Sequence, residues 1–155
     1  MANYCDNELI ITGNQSDIDD FISRIKDSEK EVHFETLLPI PKDIENSSDW
    51  YYKNYGISCS GGNNSFFQDN YIFFQTRWVP PLNFFDDASK LYPYLTFELT
   101  YWQTEEACCG IVVHKNGERL RDEEDETRSQ FARDIFGDEF IDEFFEYEQE
   151  ENENE

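Results

Sequence analysis

The sequence predicts an α+β fold in which two helices cover one face of an antiparallel sheet. Short runs of bulky or β-branched residues recur over the first 121 residues, and two of the gaps between them repeat apolar residues at helical spacing. The order of these runs is β, α, β, β, α, β, β with a short return, which contains the βαββαβ order of a ferredoxin-like sandwich. Fourteen Phe and nine Tyr compensate for a hydrophobic content of only 38%. Full burial of a Phe-sized side chain stabilises by roughly 1.5–3 kcal/mol, so this aromatic content can fill one small core.

The run from Glu8 to Gly13 reads as the first strand, ended by the glycine. Ser16 is a suitable N-cap, and Asp17, Asp19 and Asp20 suit the positive end of a helix dipole. Ile18, Phe21, Ile22 and Ile25 give that helix, over 16–28, one apolar face. Residues 31–38 read as extended and end at Pro39-Ile40-Pro41. The stretch 42–64 is polar and turn-rich, with Gly61-Gly62-Asn63-Asn64 as a loop tip.

A strong strand follows over 70–78, carrying Tyr71, Ile72, Phe73 and Phe74, and Pro80-Pro81 ends it. Leu82, Phe85, Ala88, Ser89 and Tyr92 match the second helix, stopped by Pro93. Over 94–102 the alternation is clear: Leu95, Phe97, Leu99 and Tyr101 on one face, Thr96, Glu98, Thr100 and Trp102 on the other. A strand over 108–114 then meets Asn116-Gly117, a type I′ hairpin signal that turns the chain back through residues 118–120.

Beyond residue 121 the composition changes. Residues 122–155 hold sixteen Asp and Glu against two Arg, −14 of a total net charge of −23. Phe131, Ile135, Phe136, Phe140, Ile141, Phe144 and Phe145 recur at helical spacing, with Gly137 placed to split the helix in two. The domain organisation expected is a folded unit over 1–121, an acidic amphipathic helical extension over 122–149 and a disordered acidic end over 150–155. Residues 122–126 are expected as a loop or helix start. The Phe stripe is expected to pack on the sheet, and self-association through it is a further possibility.

This charge disfavours direct nucleic-acid binding, because phosphates are repelled. It disfavours anionic membranes likewise and favours basic partners. No signal peptide or membrane-length apolar run is visible, so a cytoplasmic location is expected. Cys5, Cys59, Cys108 and Cys109 lack metal or redox spacing and read as reduced thiols. His33 and His114 have no nucleophile-elbow context, and Gly61-Gly62 lacks the lysine of a phosphate loop. No catalytic group, cofactor or specific metal site is expected. Trp50, Tyr55 and Trp78 form an aromatic group that is read as core packing, as a protein-binding hot spot or as a small-molecule or nucleotide site. Lys42, Lys53 and Arg77 are few for phosphates.

Several fragments together resemble one family. These are the opening Met1-Ala2-Asn3-Tyr4-Cys5-Asp6-Asn7-Glu8-Leu9, the segment from Phe34 to Leu37-Leu38-Pro39-Ile40-Pro41, Asn54-Tyr55-Gly56, and Phe74-Gln75-Thr76-Arg77-Trp78-Val79-Pro80-Pro81. Tyr92-Pro93, Leu99-Thr100-Tyr101, Cys109-Gly110 and Gly117-Glu118 follow in the same order. They resemble the YubB ferredoxin-like (Api92-like) proteins of phages and conjugative plasmids, in which Trp usually stands at the positions of Tyr4 and Tyr55. Ile57-Ser58-Cys59 stands where a Lys-Trp pair usually follows. The resemblance covers about residues 1–121 and leaves the tail outside. It implies a ferredoxin-like fold and a mobile-element origin, with no established enzymatic activity to transfer.

The function expected is a non-enzymatic inhibitor that binds a basic, nucleic-acid-handling host defence protein, such as a CRISPR effector, by acidic mimicry of nucleic acid. A helical tail would place one carboxylate per roughly 3 Å of axis, against one phosphate per ~3.4 Å of each DNA strand. The residues expected to meet the partner are Asp122, Glu123, Glu124, Asp125, Glu126, Asp138, Glu139, Asp142, Glu143 and Glu146.

Overall fold

A computed structural model describes residues 3–154. Eight strands form one sheet in the spatial order β2-β3-β4-β5-β1-β6-β7-β8, and every neighbouring pair is antiparallel. Along the chain these are β1 (Tyr4–Thr12), β2 (Lys26–Ser28), β3 (Glu31–His33), β4 (Gly61–Gln68), β5 (Tyr71–Arg77), β6 (Thr96–Gln103), β7 (Cys108–Lys115) and β8 (Glu118–Glu126). The helices are α1 (Gln15–Ile25), α2 (Ser47–Tyr55), α3 (Leu82–Leu91), α4 (Gln130–Phe136) and α5 (Asp138–Glu153).

Within this larger sheet, β1, α1, β4, β5, α3 and β6 follow one another in βαββαβ order, with the strands side by side as β4-β5-β1-β6. The second strand of that set is β4, not the expected run over 31–38. Only Glu31–His33 is extended there, and the chain then turns. The glycine pair expected as a loop tip lies inside β4, where close strand approach requires it. A Cβ on Gly61 would sit 1.9 Å from the Val32 carbonyl oxygen, and one on Gly62 would sit 2.6 Å from that of Gln75. The stretch 42–64 also holds α2, capped by the Asn46 side chain and closed by Gly56 at φ 84°. The first helix is capped by Asn14, with Ser16 inside it. The Asn116-Gly117 turn forms as expected, both residues at positive φ.

One face of the sheet carries the main core. Leu9 and Ile11 of β1, Ile72 and Phe74 of β5, and Phe97 and Leu99 of β6 pack against Ile18 and Phe21 of α1 and Phe84 and Phe85 of α3. The expected two helices are joined there by α2, whose Tyr55 is buried in the same core.

The opposite face is covered only in part, by α4 and α5. Trp102 of β6 and Cys109 of β7 are buried there with Ala132 and Ile141, and Phe131, Phe136, Phe144 and Phe145 pack around them. The Phe stripe therefore closes on the sheet as expected, leaving Phe140 43% exposed. Gly137, at φ 89°, separates α4 from α5. Two expectations for the tail are corrected. Residues 122–126 continue β8, because Cys109, Gly110, Ile111 and Val112 of β7 offer a full ladder to Asp125, Glu124, Glu123 and Asp122. Residues 150–153, expected to be disordered, are the last part of α5; Glu155 lies outside the described residues.

Ile141 is the only buried residue of α5. Replacing it with Ala should cost about 2–5 kcal/mol in chemical denaturation. The loss should appear first in the amide protection of α4 and α5 rather than in the main core.

Candidate functional site

The ten acidic residues expected to meet a partner stand on two elements. Asp122, Glu123, Glu124, Asp125 and Glu126 lie on β8, an edge strand exposed along its whole length. Strand alternation and the ladder with β7 send Asp122 and Glu124 to the main-core side of the sheet and Glu123 and Asp125 to the α4–α5 side. Asp138, Glu139, Asp142, Glu143 and Glu146 project from α5, and all five are exposed.

Arginines divide this set. Arg119 reaches Asp122 at 3.0 Å, and Arg121 pairs with Glu123. Arg133 bridges Asp138 at 3.1 Å and Asp142 at 3.0 Å. Among the described residues, Glu124, Asp125, Glu126, Glu139, Glu143 and Glu146 have no ion-pair partner. Glu124 accepts a hydrogen bond from the Tyr101 hydroxyl at 3.2 Å. Six carboxylates are thus displayed without compensating charge, held by an eight-stranded sheet and a docked helix.

The edge strand is fastened to the main-core side by a polar cluster that the sequence did not reveal. Arg119 donates two hydrogen bonds to Asp86 of α3, both at 2.8 Å. His114 Nε2 lies 2.8 Å from the same carboxylate. Burial pushes Asp86 up, but the hydrogen bonds and charge of Arg119, with His114, outweigh it and hold Asp86 below the usual carboxylate range. Burial lowers the His114 pKa against the pull of Asp86. A neutral His114 donates from Nε2 to Asp86, an arrangement that suits a structural tether.

The aromatic group does not come together as a site. Tyr55 is fully buried, and its hydroxyl donates to the Leu38 carbonyl. Trp50 packs edge-on against Tyr55, 5.3 Å between ring centroids. Trp78 stands apart at φ 68°, half exposed, with its carbonyl accepting from Gln103 at 2.6 Å. No ring contact joins it to Trp50 or Tyr55 among the described residues.

Burial and nearby carboxylates raise the thiol pKa of Cys5, Cys108 and Cys109, the last to about 11 with Cys108 adding to the effect. These thiols stay protonated and are poor nucleophiles. Among the described residues no three His, Cys, Asp or Glu side chains converge to hold a metal ion, and no helix is long and apolar enough to cross a membrane.

Sequence reasoning passed over a second acidic group on the partly covered face: Asp6 and Glu8 of β1 and Glu98 of β6. Its signal was present in the alternation that put Glu98, Thr100 and Trp102 on one side of a strand. Burial raises the Asp6 pKa, although Gln75 donates to its carboxylate at 2.8 Å and works the other way. An ionised Asp6 therefore opposes folding. The penalty is absent below the unfolded pKa, where the group is neutral in both states, and reaches full size above the folded pKa. Asp6→Asn should raise the Tm at pH 7 and leave it nearly unchanged at pH 3, as thermal melts at the two pH values would read.

Residues 54–154 match a protein family described as the ferredoxin-like domain in Api92-like protein. The matched range runs from the end of α2 through α5. The acidic tail therefore falls within the family's domain, where the resemblance in the sequence had placed it outside. Among solved structures, the crystal structure of a protein api92 from Yersinia pseudotuberculosis is similar, with a TM-score of 0.51 and 14% identity. That likeness concerns the fold, and it covers 60% of this chain and 39% of that one. No curated protein matches the chain.

Proposed function

We propose, for a chain that belongs to the family of ferredoxin-like domains in Api92-like proteins, a binding function without catalysis. It is a phage- or plasmid-encoded inhibitor that docks its acidic surface on a basic, nucleic-acid-handling defence protein of the host, such as a CRISPR effector, and occupies the channel meant for DNA or RNA. The observation that carries this reading is the set of six uncompensated carboxylates on β8 and α5. A fixed surface of one sign steers a partner of the opposite sign and speeds its encounter.

Carboxylates along β8 rise about 3.3 Å per residue and alternate between its two faces, so those on one face recur at about the spacing of every second phosphate of a DNA strand, one phosphate standing per ~3.4 Å of axis. On α5, Glu139, Glu143 and Glu146 stand at i, i+4 and i+7 and share one side of the helix. The β7 ladder and Arg119 hold β8, and the Trp102 cluster holds α5, so little ordering entropy is lost on docking. The reading takes the site of action to be the host cytoplasm.

Affinity capture from host lysate at low and high salt identifies the partner, and competition against DNA on that partner tests the mechanism. Neutralising Glu124, Asp125, Glu126, Glu139, Glu143 and Glu146 to their amides should weaken binding about 100-fold, at roughly 0.5 kcal/mol per exposed charge. Neutralising the arginine-paired Asp122, Glu123, Asp138 and Asp142 should weaken it less. Unchanged affinity and unchanged salt dependence in the six-residue variant would rule the mimicry out.

A further inference from the structure

The tail helices stop short of the middle of the sheet, and a groove of about 290 Å³ lies where they end. Its floor is the outer side of β1 and β6, with Asp6 and Glu8 from the one and Glu98 and Trp102 from the other. Its wall is Phe136 of α4 and Phe140 of α5. Asp6 stands opposite Trp102, Glu8 opposite Thr100 and Ile10 opposite Glu98, so Glu8 and Glu98 are diagonal neighbours. Such neighbours lie roughly 7–8 Å apart, and Asp6 is about 7 Å from Glu8 along its strand.

Three carboxylates thus share one patch, and no Lys, Arg or His lines the groove. None of the three has an ion-pair partner among the described residues. Ordinary packing does not favour this arrangement, since like charges on neighbouring strands repel and Asp6 is partly buried beside the apolar wall. A cation in the groove relieves both. The volume is at the low end for a small-molecule site, which typically spans roughly 300–1,000 Å³, and suits one long side chain. Phenylalanine and tryptophan rings beside carboxylates favour a planar guanidinium over an ammonium, because the guanidinium stacks on rings and forks onto carboxylates.

We propose that this groove receives one arginine side chain of the partner protein, its guanidinium between Glu8 and Glu98, with Asp6 adding charge at the far end, and its stem against Phe136 and Phe140. The arginine is an anchor at the centre of an interface whose outer part is the acidic surface of β8 and α5. The proposal rests on the reading of the protein as a binder of basic partners, and adds a specific pocket to a diffuse charge. Aromatic-walled pockets of this kind concentrate binding energy that exposed charges alone do not supply.

The test is an NMR titration with three blocked tripeptides, acetyl-Gly-Arg-Gly-amide and its lysine and norleucine counterparts, at physiological salt. The indole N–H of Trp102, buried without a hydrogen-bond partner, is the reporter. The arginine peptide should shift that resonance and those of Glu8 and Glu98. The lysine peptide should bind more weakly, and the norleucine peptide should do nothing. Glu8→Gln with Glu98→Gln should weaken arginine binding about tenfold or more, the loss expected for charge-assisted hydrogen bonds, and thermal melting of that variant checks its fold. The variant with six amides on β8 and α5 should bind the tripeptide as before, which separates this proposal from the mimicry reading. Equal response to norleucine, shifts confined to β8 and α5, or undiminished affinity in the Gln variant would overturn it.

Discussion

The packing of Trp102 against the tail helices decides what this molecule can display. Its ring meets Phe136, Phe140 and Phe144 edge-on, with centroids 5.2, 5.2 and 5.0 Å away. Each such pair contributes about 0.5–1.5 kcal/mol beyond the area it buries. The contact matters because the charges of α5 suit its helix dipole at one end only. Asp138 and Glu139 suit its N-terminal end, but its last turn has no basic residue and carries Glu150, Glu151 and Glu153 against the negative end of the dipole. Arg128 adds to the hold by covering the Phe145 ring at 3.8 Å. Released from the sheet, the segment would be a self-repelling acidic chain.

Once the tail is docked, the remaining features follow from the same geometry. Covering β6, β7 and β8 while leaving β1 and β5 open creates the groove beside Trp102. It also leaves β8 as a long charged edge, fastened through Arg119 and His114 to Asp86. Five successive carboxylates on an edge strand discourage another strand from adding to it, so the feature read as a docking surface also protects the sheet from self-pairing. The two roles are compatible, because a basic partner is attracted by the charges that repel a second copy.

Much of the fold was legible in the sequence, and the parts that were not have identifiable reasons. The strands β1, β5, β6 and β7 and the helices α1 and α3 carry strong periodicity, and the Asn116-Gly117 turn has a required chemistry. Helix α2 was hidden because its aromatic residues do not form one clean face, although Asn46 and Gly56 bracket it as caps. Strand β4 was hidden because Gly61 and Gly62 signal a loop when their real task is close approach to Val32 and Gln75. Residues 122–126 read as loop because nothing in a run of acids reveals that a neighbouring strand offers them a ladder. The acidic residues of the site were legible one by one. Which of them arginines neutralise was not, since Arg133 and Arg119 find their partners only through Gly137 and the bulge in β8. Asp6, Glu8 and Glu98 were on the polar faces of readable strands, and only the sheet order brings them together.

The acidic tail is a docked part of the domain rather than a charged appendage. Hydrogen exchange of the amides of residues 139–149, read residue by residue at neutral pH, tests it most directly. Docking around Trp102 predicts protection well above that of an isolated acidic helix, and its loss in a Trp102→Ala variant that keeps the main core protected. Exchange at the unfolded rate in the unmodified protein would mean that the tail is not docked.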